Sequence, residues 1–294
     1  MKAKTKAPSS LFDFLKDTIG TASANRIRKM IKHGRVKVDG RIILRPDEKL
    51  RKGQTVEVTR EKTSGKVKKA ASQVFPHKVL FEDKYLVAIE KPAGLLASGK
   101  SAKGRPTFAQ QVIQHFQFKK ENPCQTYPVK RLERELSGIM IFAKSEKLKE
   151  RLRRAWDNDT EIRYCALIEG RLREPEGTLK HFLQRKKFGV AFIGGKNARS
   201  EQAITVYKEL KRFTAYSLVE LRPKTSLKYQ VRAQLAEVRH PIVGDKIYGT
   251  TENPIGRIAL HLHHISLNHP ITKKRLKITT PIPKQFIQFA KNHA

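Results

Sequence analysis

A segment of alternating charge ends directly in front of an apolar run, and it is the first place to look for reactive side chains. The charged segment reads Lys130-Arg131-Leu132-Glu133-Arg134-Glu135-Leu136-Ser137-Gly138, and the apolar run reads Ile139-Met140-Ile141-Phe142-Ala143. A carboxylate beside a buried strand can act as a nucleophile or a base if a cation keeps it ionised, because a buried unpaired carboxylate takes up a proton. The segment, in which carboxylates alternate with cations, is therefore a candidate place for such a side chain.

Histidines towards the end of the chain could instead suggest a metal centre. They are His261, His263, His264 and His269. On a strand, His261 and His263 would share one face while His264 would point to the other. No carboxylate or cysteine completes an obvious set of zinc ligands, so we expect no metal and no cofactor. The two cysteines of the chain are expected to be reduced thiols.

The chain carries a large excess of positive charge. Its 294 residues include 62 Lys and Arg against 27 Asp and Glu, which gives a formal net charge of +35. A surplus of this size favours a polyanionic partner, and nucleic acid is a better match than a membrane because no apolar run of ~18 residues is present. The basic first residues lack the apolar core of a secretory signal. We therefore expect a cytoplasmic protein, and a monomer, whose partner is a nucleic acid.

Residues 10–58 are expected to form a small α/β module. Ser10 is a candidate helix N-cap, a second helix follows with its apolar residues on one face, and Asp39-Gly40 is a turn signal. The cations that we assign to RNA contact are Arg26, Arg28, Lys29, Lys32, Arg35 and Lys37. The alternative is an amphipathic helix whose basic side chains are merely solvated.

The rest of the chain divides where its composition changes. Residues 1–9 are interpreted as a basic arm or a solubilising tail, residues 59–75 as a flexible basic linker, and residues 76–294 as a large domain. The predicted strands of this domain include 139–143, 163–169, 203–210 and 216–222, and its predicted helices are 108–116, 146–156 and 229–238. We therefore predict an α+β fold in which a mixed, mostly antiparallel sheet follows the small module.

Six segments resemble, in order, the motifs of the RluA family of RNA pseudouridine synthases. They are Glu90-Lys91-Pro92-Ala93-Gly94-Leu95, the segment around Glu133, Arg163-Tyr164-Cys165-Ala166-Leu167-Ile168-Glu169-Gly170, Tyr229-Gln230-Val231-Arg232, Arg239-His240-Pro241-Ile242-Val243-Gly244-Asp245 with Tyr248-Gly249, and Ala259-Leu260-His261 with His269-Pro270. The resemblance covers residues 79–286. The preceding module resembles the RNA-binding module named after the fourth small-subunit ribosomal protein, which often precedes such domains.

The resemblance implies a reaction and assigns roles to particular residues. The family isomerises uridine in RNA by breaking the N-glycosidic bond and rejoining the base through carbon, so the base must first be flipped out of its stack. By this resemblance, Glu133 stands at the catalytic carboxylate, Arg232 at its cationic partner and Tyr164 at the aromatic residue that stacks on the base. Arg131 stands at the arginine that helps to displace the base, and we assign its neighbour Lys130 to RNA binding as well.

Several positions depart from the family pattern. The family has aspartate where this chain has Glu133, and the additional methylene displaces the carboxylate by roughly 1 Å or more, which can cost ~100-fold in rate. Further departures in the expected pocket are Lys130, Leu136, Leu227, Tyr229 and Gln234. Two hypotheses stay open. The first is a weak or inactive synthase that binds large ribosomal RNA or acts in ribosome assembly, and the second is an active rRNA pseudouridine synthase that uses Glu133.

Overall fold

The chain divides into two compact units, Met1–Val74 and Phe75–Ala294. In the computed structural model, the described residues are 2–5, 7–20, 22–32, 35–43, 45–58, 75–99, 105–119, 123–185, 191–197, 200–249 and 253–293. Within these ranges only the backbone is described for Lys29, Lys32, Arg41, Ile42, Arg185, Ala191 and Phe192. The linker predicted at residues 59–75 lies outside the described residues, apart from Phe75.

The first unit is a small α/β module. Its helices are α1 (Leu11–Ile19) and α2 (Ala24–Lys32). Its strands are β1 (Lys2–Lys4), β2 (Ser9–Ser10), β3 (Val36–Val38), β4 (Arg41–Ile42), β5 (Lys49–Leu50) and β6 (Thr55–Val58), in sheets ordered β1-β6-β3-β4 and β2-β5. Ser10 caps α1, because its hydroxyl accepts a hydrogen bond from the backbone N–H of Asp13 at 3.1 Å. The core contains Leu11, Leu15, Ile27, Ile31, Val36 and Val56.

The first residues of the chain differ from the expected arm. Lys2–Lys4 is an edge strand that pairs antiparallel with β6, and the Lys2 ammonium lies 2.8 Å from the Glu57 carboxylate. Thr5 is buried and donates its hydroxyl to the carbonyl oxygen of Arg51 at 2.5 Å. This part of the chain belongs to the sheet of the module because its backbone groups find partners on β6.

The second unit is an α+β domain around one large sheet, as predicted. Its strands are β7 (Val79–Glu82), β8 (Leu86–Lys91), β9 (Tyr127–Pro128), β10 (Ser137–Ala143), β11 (Glu161–Glu169), β12 (Glu176–Arg185), β13 (Ala191–Gly194), β14 (Glu201–Arg212), β15 (Tyr216–Pro223), β16 (Leu260–Asn268) and β17 (Arg275–Thr279). Its helices are α3 (Phe108–Gln117), α4 (Glu146–Asp159), α5 (Gln230–Glu237) and α6 (Lys284–Asn292). The strand order is β13-β12-β14-β15-β11-β16-β10-β8-β7, with β17 attached to β16 and β9 to β10. Among the described strand pairs of this sheet, β10 with β16 is parallel and the others are antiparallel.

Strand β10 places the charged segment next to the centre of the domain. All of its residues are buried, and it lies between β8 and β16. Its parallel contact with β16 pairs Ser137 with His261 and Gly138 with Leu262. Gly138 has a φ of +129°, and a Cβ at this position would collide with the backbone of Leu262. Because glycine has no Cβ, β10 and β16 can approach each other this closely. This contact fixes the point where the loop that carries Glu133 enters the sheet.

Candidate active site

The Lys91 side chain connects the loop that carries Glu133 to the turn after β8. The Lys91 side chain is fully buried at the end of β8, and its ammonium donates hydrogen bonds of 2.7–3.1 Å to backbone carbonyl oxygens on both sides. The acceptors are the carbonyl groups of Pro92, Leu95, Arg134 and Leu136. Burial is the main reason that the pKa of Lys91 is lowered to about 8, and the side chain is still mostly charged at neutral pH. The turn after β8 and the Glu133 loop are therefore held together by one cation.

Glu133, Arg232 and Asp245 form a buried charge triad. Arg232, on α5, donates from Nη1 to the Glu133 carboxylate at 2.5 Å, and from Nε and Nη2 to the two oxygens of Asp245 at 2.7 and 2.6 Å. The exposed fraction of the side chain is 2% for Arg232, 0% for Asp245 and 19% for Glu133. Asp245 also accepts hydrogen bonds from the backbone N–H groups of Ile247 and Tyr248. One cation thus lies between two carboxylates, and Asp245 is the more completely bound.

Burial and direct contacts set the charges of the triad. Burial raises the pKa of Glu133, whereas the charge and hydrogen bond of Arg232 act to lower it. Burial alone would lower the pKa of Arg232, but hydrogen bonds and charges from Asp245 and Glu133 raise it above the ordinary value. Arg232 is therefore charged at neutral pH, and it offsets only part of the burial that raises the pKa of Glu133.

Glu133 and Tyr164 line the same small cavity. Tyr164 lies on β11, and burial together with the charge of Glu133 raises the pKa of its hydroxyl. The cavity has a volume of about 80 Å³, and its walls include Leu136, Leu227 and Tyr229. Because Arg232 binds Glu133, the structure brings the three residues predicted for catalysis to one place.

The residues predicted for RNA contact are distributed over both units. Arg131 is exposed on the Glu133 loop, and the ammonium of Lys130 lies 3.5 Å from the Asp157 carboxylate. In the first unit, Arg26 and Arg28 are exposed and Arg35 and Lys37 are half-buried, while the side chains of Lys29 and Lys32 lie outside the described residues. Exposed cations of this kind are suited to contact phosphate groups.

Lys91 and Asp245 both stand in segments that resemble the family motifs, and the position of Asp245 in its motif indicates a structural role rather than a second catalytic acid. The groups that the two side chains bind were not predicted. The acceptors of Lys91 are backbone carbonyls, which leave no mark in a sequence. For Asp245 the usable signal was Arg232 on a predicted helix, because a buried guanidinium requires an acidic partner.

His261 leads to a prediction about stability in acid. The side chain is 1% exposed, and its Nδ1 lies 2.6 Å from the hydroxyl oxygen of Ser137. Burial, helped by the charges of Arg257 and His263, lowers the pKa of His261 to about 3. In the unfolded chain a histidine takes up a proton near a pH of about 6.5. The folded state should therefore lose stability as the pH falls from there towards the folded pKa.

Replacing His261 by asparagine would remove this titration and keep a polar atom near Ser137. Between about pH 6.5 and 5, we expect the free energy of unfolding to fall by about 2 kcal/mol more for the wild type than for His261→Asn. Urea unfolding at the two pH values measures this difference. Parallel pH dependence in both proteins would show that His261 accepts a proton in the folded state.

Two of the histidines of β16 lie against polar side chains. His263 lies 3.1 Å from the Glu220 carboxylate, and the Nδ1 of His261 contacts Ser137. Among the residues that the structure describes, no group of three or more His, Cys, Asp or Glu side chains is arranged to hold a metal ion. Every described helix is too short or too polar to traverse a bilayer.

Comparisons with known proteins find similar chains for both units. The profile of the family described as RNA pseudouridylate synthase matches residues 85–237, and the profile of the S4 domain matches residues 11–56. The ribosomal large subunit pseudouridine synthase D of Pseudomonas aeruginosa is 27% identical over 90% of this chain and 86% of the relative. The tRNA pseudouridine synthase C of Pasteurella multocida is 31% identical over 71% of this chain and 93% of the relative. The solved structure of human RNA pseudouridylate synthase domain containing 4 has a TM-score of 0.60 at 20% identity, over 71% of this chain and 90% of that chain, which supports the fold.

Proposed function

Because the chain belongs to the RluA family of RNA pseudouridine synthases, we propose that it binds RNA through both of its units and isomerises uridine weakly or not at all. The RNA of this proposal is large ribosomal RNA, free or in a pre-ribosomal particle. The Pseudomonas aeruginosa relative, which is named for the large ribosomal subunit, matches 90% of this chain, more than the second unit alone contains, whereas the Pasteurella multocida relative, which is named for tRNA, matches 71%. The net charge of +35 and the S4 domain suit a phosphate backbone.

The proposal that catalysis is weak or absent rests on the size of the cavity beside Glu133. An apolar cavity of about 150 Å³ can hold benzene, whereas this cavity has about 80 Å³. A uracil ring with its two carbonyl oxygens is larger than benzene, so it does not fit wholly inside the cavity unless the walls move. By resemblance, Glu133 is also one methylene longer than the aspartate of the family, and Leu227 and Tyr229 replace polar residues of the pocket wall.

The second candidate function is an active rRNA pseudouridine synthase that uses Glu133. A specific observation favours it, namely the 2.5 Å ion pair between Glu133 and Arg232 in the cavity that Tyr164 also lines. A carboxylate, a cation that keeps it ionised and an aromatic hydroxyl are the parts that the reaction of the family requires. Both candidates predict RNA binding that weakens with salt, so binding alone does not separate them.

The deciding experiment maps pseudouridine in ribosomal RNA from cells with and without the gene, and then adds back the wild type or Glu133→Gln. We expect no modified position to depend on the gene, and we expect both proteins to rescue any ribosome-assembly defect equally. A modification that disappears with the gene and returns only with the wild type would establish the active synthase. Glu133→Gln is a suitable variant because it keeps the size and the hydrogen-bond acceptor of the side chain.

Purified Glu133→Asp provides the complementary assay. We expect it to gain little activity, because shortening the carboxylate does not open the cavity. A strong gain would show that the additional methylene alone limits catalysis.

A further inference from the structure

Tyr229 has a backbone conformation that aromatic residues rarely adopt. Its φ of 62° and ψ of 9° are left-handed, and it occupies the N-cap position of α5 without a capping hydrogen bond from its side chain. A bulky residue in this region is strained and persists only where the surroundings hold it. The contacts of the side chain should therefore explain why tyrosine stands here.

The Tyr229 ring covers the cation that holds Glu133. The guanidinium carbon of Arg232 lies 5.1 Å from the centre of the Tyr229 ring and 5.4 Å from the centre of the Tyr248 ring. The ammonium of Lys228 lies 4.4 Å from the centre of the Tyr229 ring. Such cation–π contacts are attractive and grow stronger when water is excluded. The strained residue is thus held against the charge triad.

Apolar contacts tie this wall of the cavity to the hairpin formed by β12 and β13. Leu227, Tyr229 and Tyr248 pack with Leu183 of β12 and Ile193 of β13 in one cluster, which we term the hairpin cluster. β13 is the last of the described strands at its end of the sheet. Through these contacts the hairpin holds Leu227 and Tyr229 at the wall of the cavity. Both positions depart from the family pattern.

The small cavity borders a much larger cleft. The cleft has a volume of about 940 Å³ and shares a stretch of wall with the cavity, residues 223 and 225–227, together with Ile162. Leu227 lines both, so it stands at the junction between the open cleft and the Glu133 site. A base that enters the cavity from the cleft must therefore pass this shared wall.

We propose that Tyr229 and Leu227 form a gate over the Glu133 site, and that a flipped pyrimidine enters only when the hairpin cluster separates. The gate rests on the proposed function, because it concerns how that same site admits a base. It controls access rather than chemistry, so Tyr229 and Leu227 determine which nucleotides reach Glu133. Removing the Tyr229 ring should open the site and relieve the backbone strain when glycine takes its place.

The test compares the full-length wild type with Tyr229→Gly, using uridine monophosphate as the probe. A closed state that leaves the competent state less than about 10% populated weakens apparent binding at least tenfold. We therefore expect Tyr229→Gly to bind uridine monophosphate at least about tenfold more tightly than the wild type by calorimetry. Leu227→Ala is the second variant and is expected to change affinity in the same direction. Phe118→Ala is the matched control, because Phe118 is 69% exposed and is not a wall of the cavity.

A second measurement separates the gate from RNA binding. A uridine-rich single strand with one 2-aminopurine beside a uridine reports flipping, because 2-aminopurine emission rises when its neighbour leaves the stack. We expect all the proteins to bind this strand, and only the two gate variants to raise the emission. Equal binding of uridine monophosphate by wild type and both variants, including no measurable binding by any, would overturn the gate. Failure of all the proteins to bind RNA would instead contradict the proposed function, and the nucleotide comparison would still decide the gate.

Discussion

Arg232→Met is expected to lower the free energy of unfolding of the second unit by about 3–5 kcal/mol. The substitution leaves Glu133 and Asp245 without their cation, and the Asp245 side chain is 0% exposed. A buried carboxylate without a partner must either remain charged at high cost or take up a proton. The chain has one tryptophan, and Trp156 is buried in the second unit, so its fluorescence during urea unfolding reports this transition.

Glu133→Gln is the matched control for that loss, because it leaves Arg232 paired with Asp245. Burial raises the pKa of Glu133. The stabilisation that the protonated Glu133 side chain provides is therefore complete below the unfolded pKa of about 4.3, and it is lost as the pH rises through the folded pKa. At pH 7 we expect the variant to lie within about 1 kcal/mol of the wild type, or to be more stable. A loss as large as that of Arg232→Met would show that Arg232 requires both carboxylates to remain in place.

The asymmetry of the triad has a consequence for the functional experiments. Arg232 makes two hydrogen bonds with Asp245 and one with Glu133. The guanidinium therefore keeps its position through Asp245 when the Glu133 carboxylate is removed. Glu133→Gln should then be a folded protein that lacks only one charge, which the comparison of ribosomal RNA modification requires.

The main elements of the large domain were predictable because their apolar residues follow simple periods. The strand predicted at 216–222 is Tyr216–Pro223, and the helix predicted at 108–116 is Phe108–Gln117. Strand β1 was missed because three residues are too few to show a period. Strand β12 was missed because its inward positions include Gly177 and His181 as well as leucines, which interrupts the apolar alternation.

The residues of the site could be predicted from the sequence, but their arrangement in space could not. Glu133, Tyr164 and Arg232 lie in segments whose residue order resembles a known family, so they were identifiable as candidates. Glu133 and Arg232 are 99 positions apart, and no periodicity relates residues at that separation. The hairpin cluster was hidden for the same reason, because Leu183 and Ile193 meet Tyr229 only in the folded sheet. The departures at Leu227 and Tyr229 were visible, but their joint packing was not.

Lys91→Met is expected to destabilise the second unit by about 3 kcal/mol or more. Methionine fills a similar volume but cannot donate to the backbone carbonyls of the two loops that Lys91 joins. Each buried carbonyl left without a donor costs about 1–3 kcal/mol, and hydrogen bonds to a charged group are worth about 1.5–3 kcal/mol. Lys119→Met is the matched control, because Lys119 forms a partly exposed ion pair with Glu82, and such pairs contribute about 0–1 kcal/mol.

The same variant tests whether Lys91 keeps the Glu133 loop in place. The backbone N–H of Gly94 donates to the carbonyl oxygen of Arg134 at 2.8 Å, so it joins the same two loops as Lys91 does. We expect hydrogen exchange at Gly94 to accelerate in Lys91→Met by a larger factor than exchange in the middle of β10, because local separation of the loops costs less than global unfolding. A uniform acceleration would show that Lys91 contributes only to global stability. Selective acceleration would show that one buried ammonium holds in place the loop that carries Glu133.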